Sequence, residues 1–509
     1  MIFPKQFAAS LALLASGSLA LLALHACENG TRPTAASDDP PNRTTPSLAV
    51  TDPTVGGQWA PASGWPPHVA IHAHLLPDGR VLFWPGEEGP HRGTKGYQVA
   101  FIWNPTNGTS IQADNRWSDV FCSGHAFLSD GRLLVTGGHI ADGLGRKDGA
   151  IFDFSRRKWS RIPAMRAGRW YPTNTTLPNG EVLTIAGSIS PTENNIVPEV
   201  WTGSGWRALT GASLGLPYYP RMFVAPNGRV FNAGDLQATR YLSTAGTGSW
   251  QFVANNNYGR RDYGSAVMYE PGKVLILGGS RNTDGEPPTN TAEIIDLNQG
   301  APAWQYTGAM TFGRRQLNAT ILADGRVLAT GGSSGAGFSN ESASVFAAEL
   351  WDPTTGVWSL MTSMTTPRLY HSTALLLPDG RVLSAGGGRC AGCTTDRTNA
   401  EIYSPPYLFN GARPSITGAP TTVGYNQGFT IQTPAAASIT KVTWIRLSSV
   451  THAFDMNQRF SSLPIVSRTS GSLSVTSPGN SNLAPPGHYM LFILNSNGVP
   501  SVAKIVRIF

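Results

Sequence analysis

The chain has 509 residues, with 57 Gly, 38 Pro and only 14% charged residues, a composition that suits an extracellular all-β protein and a length that can bury a large core. Its formal net charge is +7. Lysine and arginine are scattered rather than gathered into a run, which argues against a nucleic-acid partner.

Residues 1–27 read as an export signal, in which Lys5 precedes a mostly apolar stretch from Phe7 to Ala26 and then Cys27. The segment Leu24-His25-Ala26-Cys27 resembles a bacterial lipobox, in which Cys27 would be lipidated and become the mature N-terminus. Because His25 is unusual there, a simple cleaved signal and an uncleaved anchor stay open. Residues 28–55, full of Pro, Thr, Ser and Asp, cannot bury enough apolar surface to fold and are expected to form a disordered tether. No other segment is apolar enough to span a bilayer, so membrane contact would run only through a lipid on Cys27. The protein is expected to be a monomer, secreted or held at the cell envelope.

Residues 56–411 carry an internal repeat. A turn of the type Asp/Asn/Pro-Gly followed by a short β-branched run returns at Gly79, Gly131, Gly180, Gly228, Gly272, Gly325 and Gly380, at intervals of roughly 44 to 55 residues, a range that includes kelch-like propeller blades. Between these turns a second unit recurs, ending in tryptophan at Trp159, Trp206, Trp250, Trp304 and Trp358. It reads as an outer strand pair, so each period holds about four strands and the segment folds as one seven-bladed β-propeller. The seventh period runs out after Glu401-Ile402-Tyr403, and the segment around Gln58 and Trp59 is expected to supply its missing outer strand. From 412 to 509 the repeat gives way to short alternating runs such as Lys441 to Leu447, which suit an immunoglobulin-like β-sandwich packed on one propeller face.

Nine residues before the repeat glycines stand Ala70, Cys122, Tyr171, Tyr219, Tyr263, Gln316 and His371, with Tyr370 beside the last. A scaffold position needs one residue type; here it holds a thiol, three phenols, an amide and an imidazole. Innermost strands run along a propeller's axis, so one repeat position maps to one ring around the channel. Strand alternation would point Tyr370 and His371 oppositely unless the chain is still in its entry loop there. Phenols and an imidazole converging on the axis could bind a transition metal, with nitrogen and oxygen donors favouring Cu(II). They could equally line a polar, water-filled channel. Cysteine usage is also informative. Cys390 and Cys393 form a close pair that an oxidising compartment favours as a disulfide, with a metal or redox role open. Cys122 is left over, either buried and inert or committed to some other bond. His72 and His74 share one face of the first inner strand, where channel packing is the default and a second metal the alternative. His125 and His139 have no matching partner in the sequence and read as structural.

Several segments together resemble the copper radical oxidases, the galactose oxidase and glyoxal oxidase family. They are Phe121-Cys122-Ser123-Gly124, Arg169-Trp170-Tyr171-Pro172, Arg368-Leu369-Tyr370-His371-Ser372 and Thr451-His452, with Gly386 to Thr395 around the two cysteines. The resemblance covers roughly residues 58 to 509. It implies that Tyr171, Tyr370, His371 and His452 ligate one copper ion, that Cys122 is joined to the Tyr171 ring by a thioether, and that Cys390 and Cys393 form a short disulfide. It further implies a two-electron oxidation of an alcohol or aldehyde, with O2 reduced to hydrogen peroxide. The cross-linked Tyr171 would store one electron equivalent as a radical, and Tyr370 would accept the substrate proton. His452 lies outside the repeat, so a loop of the second domain must reach up the channel.

The chain departs from galactose oxidase in two ways. Ile189 stands where that enzyme stacks a tryptophan over its cross-linked tyrosine, leaving Trp170 as a substitute shield or a packing residue. The additional N-terminal carbohydrate-binding domain is missing, and Pro217 to Phe223 looks more like the glyoxal oxidase branch. Small aldehydes or simple primary alcohols are therefore favoured as substrates, with Trp170, Tyr219, Tyr263 and Gln316 as candidates for the substrate mouth. The alternative is a non-catalytic propeller, a binding or structural module of the cell envelope with a vestigial metal site.

Overall fold

The computed structural model describes residues 50–86, 97–282, 285–390 and 393–509; Cys27 and the export segment lie outside them. Seven four-stranded antiparallel sheets follow the repeat in order. Their innermost strands are His72–Leu75, Ser123–Phe127, Thr173–Thr176, Met222–Val224, Ser265–Glu270, Asn318–Ile321 and Ser372–Leu376, numbered here as blades 1 to 7. Each inner strand turns at its repeat glycine into a second strand, such as Leu133–Gly137 or Val182–Ile185, that is buried along its length except at Lys273 in blade 5. Neighbouring blades cover both faces of these strands, which is why they read as continuous apolar runs rather than alternation. Outer strands see solvent and alternate, as in Lys158–Ile162, where Trp159 is buried between exposed neighbours. The tryptophans pair across the outer hairpins, Trp201 with Trp206 and Trp351 with Trp358.

The ring closes as expected: Gln58–Pro61 pairs antiparallel with Ala400–Ser404, so the first strand of the chain completes the last blade. Residues 50–55, which the sequence reading assigns to the tether, are ordered against the propeller. Pro53–Gly56 forms a helical turn capped by Asp52, and Tyr403 Oη donates to Gly56 O at 2.7 Å. The polar composition of this end is offset by backbone hydrogen bonds to blades 6 and 7.

A second repeat, missed in the sequence reading, knits the blades. Arg169 pairs with Glu199, Arg261 with Glu293, Arg314 with Glu349 and Arg368 with Glu401, all buried, at 2.7 to 3.6 Å. Each arginine also donates to the carbonyl at the end of its own second strand, Ala186, Gly278, Gly331 or Gly386. Removing one partner of such a pair would leave a buried charge uncompensated, at a cost of about 3–5 kcal/mol.

The last hundred residues form a sandwich of a five-stranded sheet (Thr422–Val423, Lys504–Ile508, Gly487–Asn495, Ile439–Arg446, Phe460–Leu463) on a three-stranded one (Gly428–Gln432, Ser472–Thr476, Ile465–Arg468). Trp444, Tyr489, Leu491 and Val442 fill its core. It packs on the propeller face that carries the repeat turns. The left-handed Gly131 (φ 88°) leaves no room for a Cβ beside His488, and Gly325 (φ 93°) none beside Phe460. From this face a hairpin, Ser449–Thr451 with Phe454–Asp455, enters the channel and pairs antiparallel with the inner strand of blade 1, His72 opposite Thr451 and His74 opposite Ser449. The blade thereby becomes a six-stranded sheet shared by both domains. Asp455, fully buried, holds the hairpin by accepting the backbone N–H groups of Ser449, Asn457 and Gln458.

Candidate active site

The ring position has a backbone signature that the sequence does not show. Cys122, Tyr171, Tyr219, Tyr263, Gln316 and His371 all have φ between 47° and 66°, the left-handed region, which costs a non-glycine residue roughly 1–2 kcal/mol. Each precedes its inner strand by one to three residues, so the ring lies in the entry turns. This resolves the alternation problem at Tyr370 and His371: Ser372 is the first strand residue, and both preceding side chains can reach the axis. The turns are linked blade to blade. Tyr171 N–H donates to Cys122 O at 2.9 Å, Tyr219 N–H to Tyr171 O at 3.0 Å, and Gln316 N–H to Tyr263 O at 2.8 Å. These interblade bonds offset the strain and hold the side chains at one height.

Tyr171 Oη and Tyr370 Oη stand 2.5 Å apart, buried at the axis. His371 stacks on Tyr370 with ring centroids 3.9 Å apart and faces His452 edge-on at 4.6 Å; His452 lies 4.6 Å from the Tyr171 ring. Both imidazoles are oriented by their Nδ1. His371 Nδ1 bonds Gly388 O at 2.8 Å, and a carbonyl only accepts, so that nitrogen carries the proton. Thr451 Oγ1 donates to Ile71 O at 2.8 Å and so accepts from His452 Nδ1 at 2.6 Å. In both rings Nε2 is left with its lone pair, buried and with no hydrogen-bond partner among the described residues. Burial pushes the His371 imidazole down to about 3 and His452 well below its usual value, so both rings are neutral at pH 7. Two orphaned imidazole nitrogens beside two phenol oxygens make an N2O2 donor set suited to Cu(II). An orphaned buried polar atom costs about 1–3 kcal/mol, which a metal would recover.

Cys122 is buried and forms no disulfide, and it belongs to the same packed cluster as Tyr171, Trp170 and Tyr219. Trp170 lies flat on Tyr171, centroids 3.8 Å apart and planes 11° apart. Its Nε1–H donates to His139 Nδ1 at 3.2 Å, which gives His139 a partner the sequence did not reveal. Tyr219 stacks on Tyr171 at 4.8 Å and on His452 at 4.6 Å, and its hydroxyl donates to Ser123 O. Tyr219 and Trp170 are packing partners of the tyrosine and, like Tyr171 and Tyr370 themselves, are buried. Gln316 is tied by Nε2 to Phe338 O at 2.7 Å. Tyr263, half-buried, meets Tyr370 edge-on at 5.6 Å.

Phe338 and Tyr218 complete the surroundings. Phe338 lies 4.7 Å from Tyr370, and Tyr218 meets both Trp170 and Tyr171 edge-on. Tyr218 was within reach of sequence reading, because the position before the ring residue also carries Phe121, Trp170 and Tyr370. Phe338 comes from an irregular loop and has no register signal. Cys390 and Cys393 are joined as a disulfide. His72 and His74 bond through their Nδ1 atoms to His125 and Ser449, which corrects the reading of His125 as partnerless, while His74 Nε2 stays buried without a hydrogen-bond partner among the described residues.

A propeller whose channel gathers two phenols and two metal-ready imidazoles around a buried thiol is the architecture of a copper oxidase. The match to known proteins agrees. Residues 413–508 match the family model described as the galactose oxidase-like, early set domain. The chain is 32% identical over 487 residues to galactose oxidase of Gibberella zeae, covering 89% of this chain and 70% of that one. It is 29% identical to the aldehyde oxidase GLOX of Vitis pseudoreticulata, covering 85% and 90%. A fungal alcohol oxidase solved in complex with copper superposes with a TM-score of 0.81 at 28% identity, covering 89% of this chain and 99% of that one. The chain belongs to the copper radical oxidase family.

Proposed function

We propose that the protein oxidises a small aldehyde or primary alcohol and reduces O2 to H2O2 at a single copper held by Tyr171, Tyr370, His371 and His452. The observation that carries this reading is the pair of tautomer-fixed imidazoles with unpartnered Nε2 atoms beside the two phenols. Copper bound there supplies one of the two oxidising equivalents that an alcohol-to-aldehyde conversion requires. The other belongs to Tyr171, whose ring, thioether-linked to Cys122, is oxidised more easily than a plain phenol. Trp170 covers that ring on one face and excludes water from it. Tyr370 Oη, on the channel axis, takes the substrate proton.

The surroundings favour a small, mostly apolar substrate. Phe338, Tyr263 and Tyr218 present aromatic edges around the two tyrosines. The reading also includes action outside the cytoplasm, supported by the Cys390–Cys393 disulfide and by the export-type first 27 residues.

Apoprotein exposed to copper and air is expected to migrate differently from Cys122→Ala on a denaturing gel, because the thioether closes a covalent loop. Peroxide release over a panel of aldehydes and primary alcohols then identifies the substrate class. Identical migration of the two proteins, with no peroxide from any substrate, overturns the reading.

A further inference from the structure

Backbone bonds from a neighbouring blade's ring residue hold the entry turns at Tyr171, Tyr219 and Gln316; Cys122 is held differently. In blade 1 the ring residue is Ala70, which lacks the left-handed turn of its six counterparts, and its carbonyl accepts from Thr373 Oγ1. Cys122, the next ring residue, donates its N–H instead to His72 Nε2 at 3.1 Å. An imidazole thus does for Cys122 what a neighbouring blade's carbonyl does for Tyr171, Tyr219 and Gln316.

That single contact sets the direction of a longer chain. His72 Nε2 accepts, so in the neutral ring Nδ1 bears the proton and donates to His125 Nε2 at 3.1 Å. His125 Nδ1–H then donates to Ser449 Oγ at 2.7 Å, and the Ser449 hydroxyl donates to His74 Nδ1 at 2.9 Å. All four residues are fully buried, and burial holds the three rings neutral, His125 down at about 3. Trp84 stacks on His72 at 5.0 Å and on His74 at 4.5 Å, which fixes the ring planes. Ser449 belongs to the hairpin that delivers His452, so the chain joins the thiol side of the site to the second domain's donor.

We infer that His72 is a positioning residue for Cys122, and that the relay His72, His125, Ser449, His74 sets together the cysteine for its cross-link and the hairpin for His452. The inference rests on the cross-link reading above. In that step the Cys122 S–H and one Tyr171 ring C–H bond break and an S–C bond forms. Two protons and two electrons pass to O2, giving H2O2. The barrier depends on sulfur and ring carbon being held at near-attack distance, where a displacement of about 1 Å can cost on the order of 100-fold in rate.

The test follows cross-linking in apoprotein after addition of copper in air, read as the gel shift and as an intact mass lower by two hydrogen atoms. Wild type is compared with His72→Leu, His72→Gln and His125→Leu. His72→Leu is expected to slow cross-linking by at least about tenfold. His72→Gln keeps an acceptor for Cys122 N–H and a donor for His125, and restores the rate to within about threefold. His125→Leu leaves His72 in place but releases its tautomer, and slows the step by about threefold. Melting temperatures and copper affinities separate this from a packing defect, which would lower stability in Leu and Gln variants alike without ordering the cross-linking rates. If His72→Leu does not fold, the ranking of wild type, His72→Gln and His125→Leu decides. Wild type that cross-links while the folded variants match its rate overturns this inference alone. Wild type that never cross-links overturns the functional reading and this inference with it.

Discussion

The ring of entry turns and the hairpin from the second domain bring donors to the same point by opposite means. The ring is one backbone device made six times, a left-handed turn tied to the neighbouring blade's turn at Tyr171, Tyr219 and Gln316, and it accepts a thiol, a phenol, an amide or an imidazole without change of shape. The hairpin is made once, and three of its residues are committed to placing a fourth: Asp455 holds its backbone, Ser449 joins the histidine relay, and Thr451 orients His452. A repeated scaffold leaves side chains free to take on chemistry, whereas an inserted element must spend its side chains on being placed.

The largest effect tests whether an entry turn is indifferent to the side chain beside its ring residue. Tyr370→Phe is expected to lower kcat by roughly 10²–10⁴-fold through loss of the proton acceptor, with the melting temperature nearly unchanged, because the turn does not depend on the hydroxyl. A large loss of stability would show that the turn is not neutral to the side chains it carries. Next, His371→Ala and His452→Ala are each expected to weaken copper binding by more than about 100-fold in a metal-competition titration, beyond what loss of an outer-shell partner costs. If only one weakens it, ring and hairpin do not share one ion.

Asp455→Ala tests the commitment of the hairpin. Three buried N–H groups lose their acceptor, at about 1–3 kcal/mol each before relaxation, so chemical denaturation should show a loss of several kcal/mol with weaker copper binding. Gln316→Ala on the ring removes the side-chain bond to Phe338 O and is expected to cost about 1 kcal/mol. His139→Leu is smaller in its effect on turnover: it frees Trp170 Nε1–H and is expected to shorten the lifetime of the oxidised Tyr171 by about fivefold, the equivalent of one net hydrogen bond of about 1 kcal/mol.

The smallest effect near neutrality is on pH dependence. His371 and His125 titrate at about 3 in the folded protein against an ordinary 6.5. Between those values the unfolded chain binds protons that the native one refuses. The stabilisation is therefore complete above about 6.5 and is lost as the pH falls toward 3. Melting curves of apoprotein should show this decline; copper raises stability at neutral pH, and because it excludes protons from His371 and His452 the gain it gives is lost again as the pH falls.

Much of this was legible in the chain. The repeat glycines gave the blade count, and counting back from each one found the six residues that the structure places in the left-handed entry turns. Recognition of Tyr370 and His452 needed the family resemblance, since neither occupies the ring register. The relay was not legible: His72 and His74 suggested a pair on one strand, but their partners His125 and Ser449 are distant in sequence and meet them only when the hairpin is inserted. Trp170 could be proposed as a shield from its neighbour, while His139, which orients it, could not.

The sequence by itself determined what must repeat: turns that need glycine, buried strands that need β-branched residues, and a register that carries chemistry at one height. These are local requirements, imposed on every blade by backbone geometry and burial, so they recur and can be counted. Tertiary structure alone decided which exceptions meet. The left-handed entry turns, the crossing of one hairpin into the channel and the tautomers of buried imidazoles each depend on contacts between residues tens to hundreds of positions apart, and such contacts leave no period in the sequence.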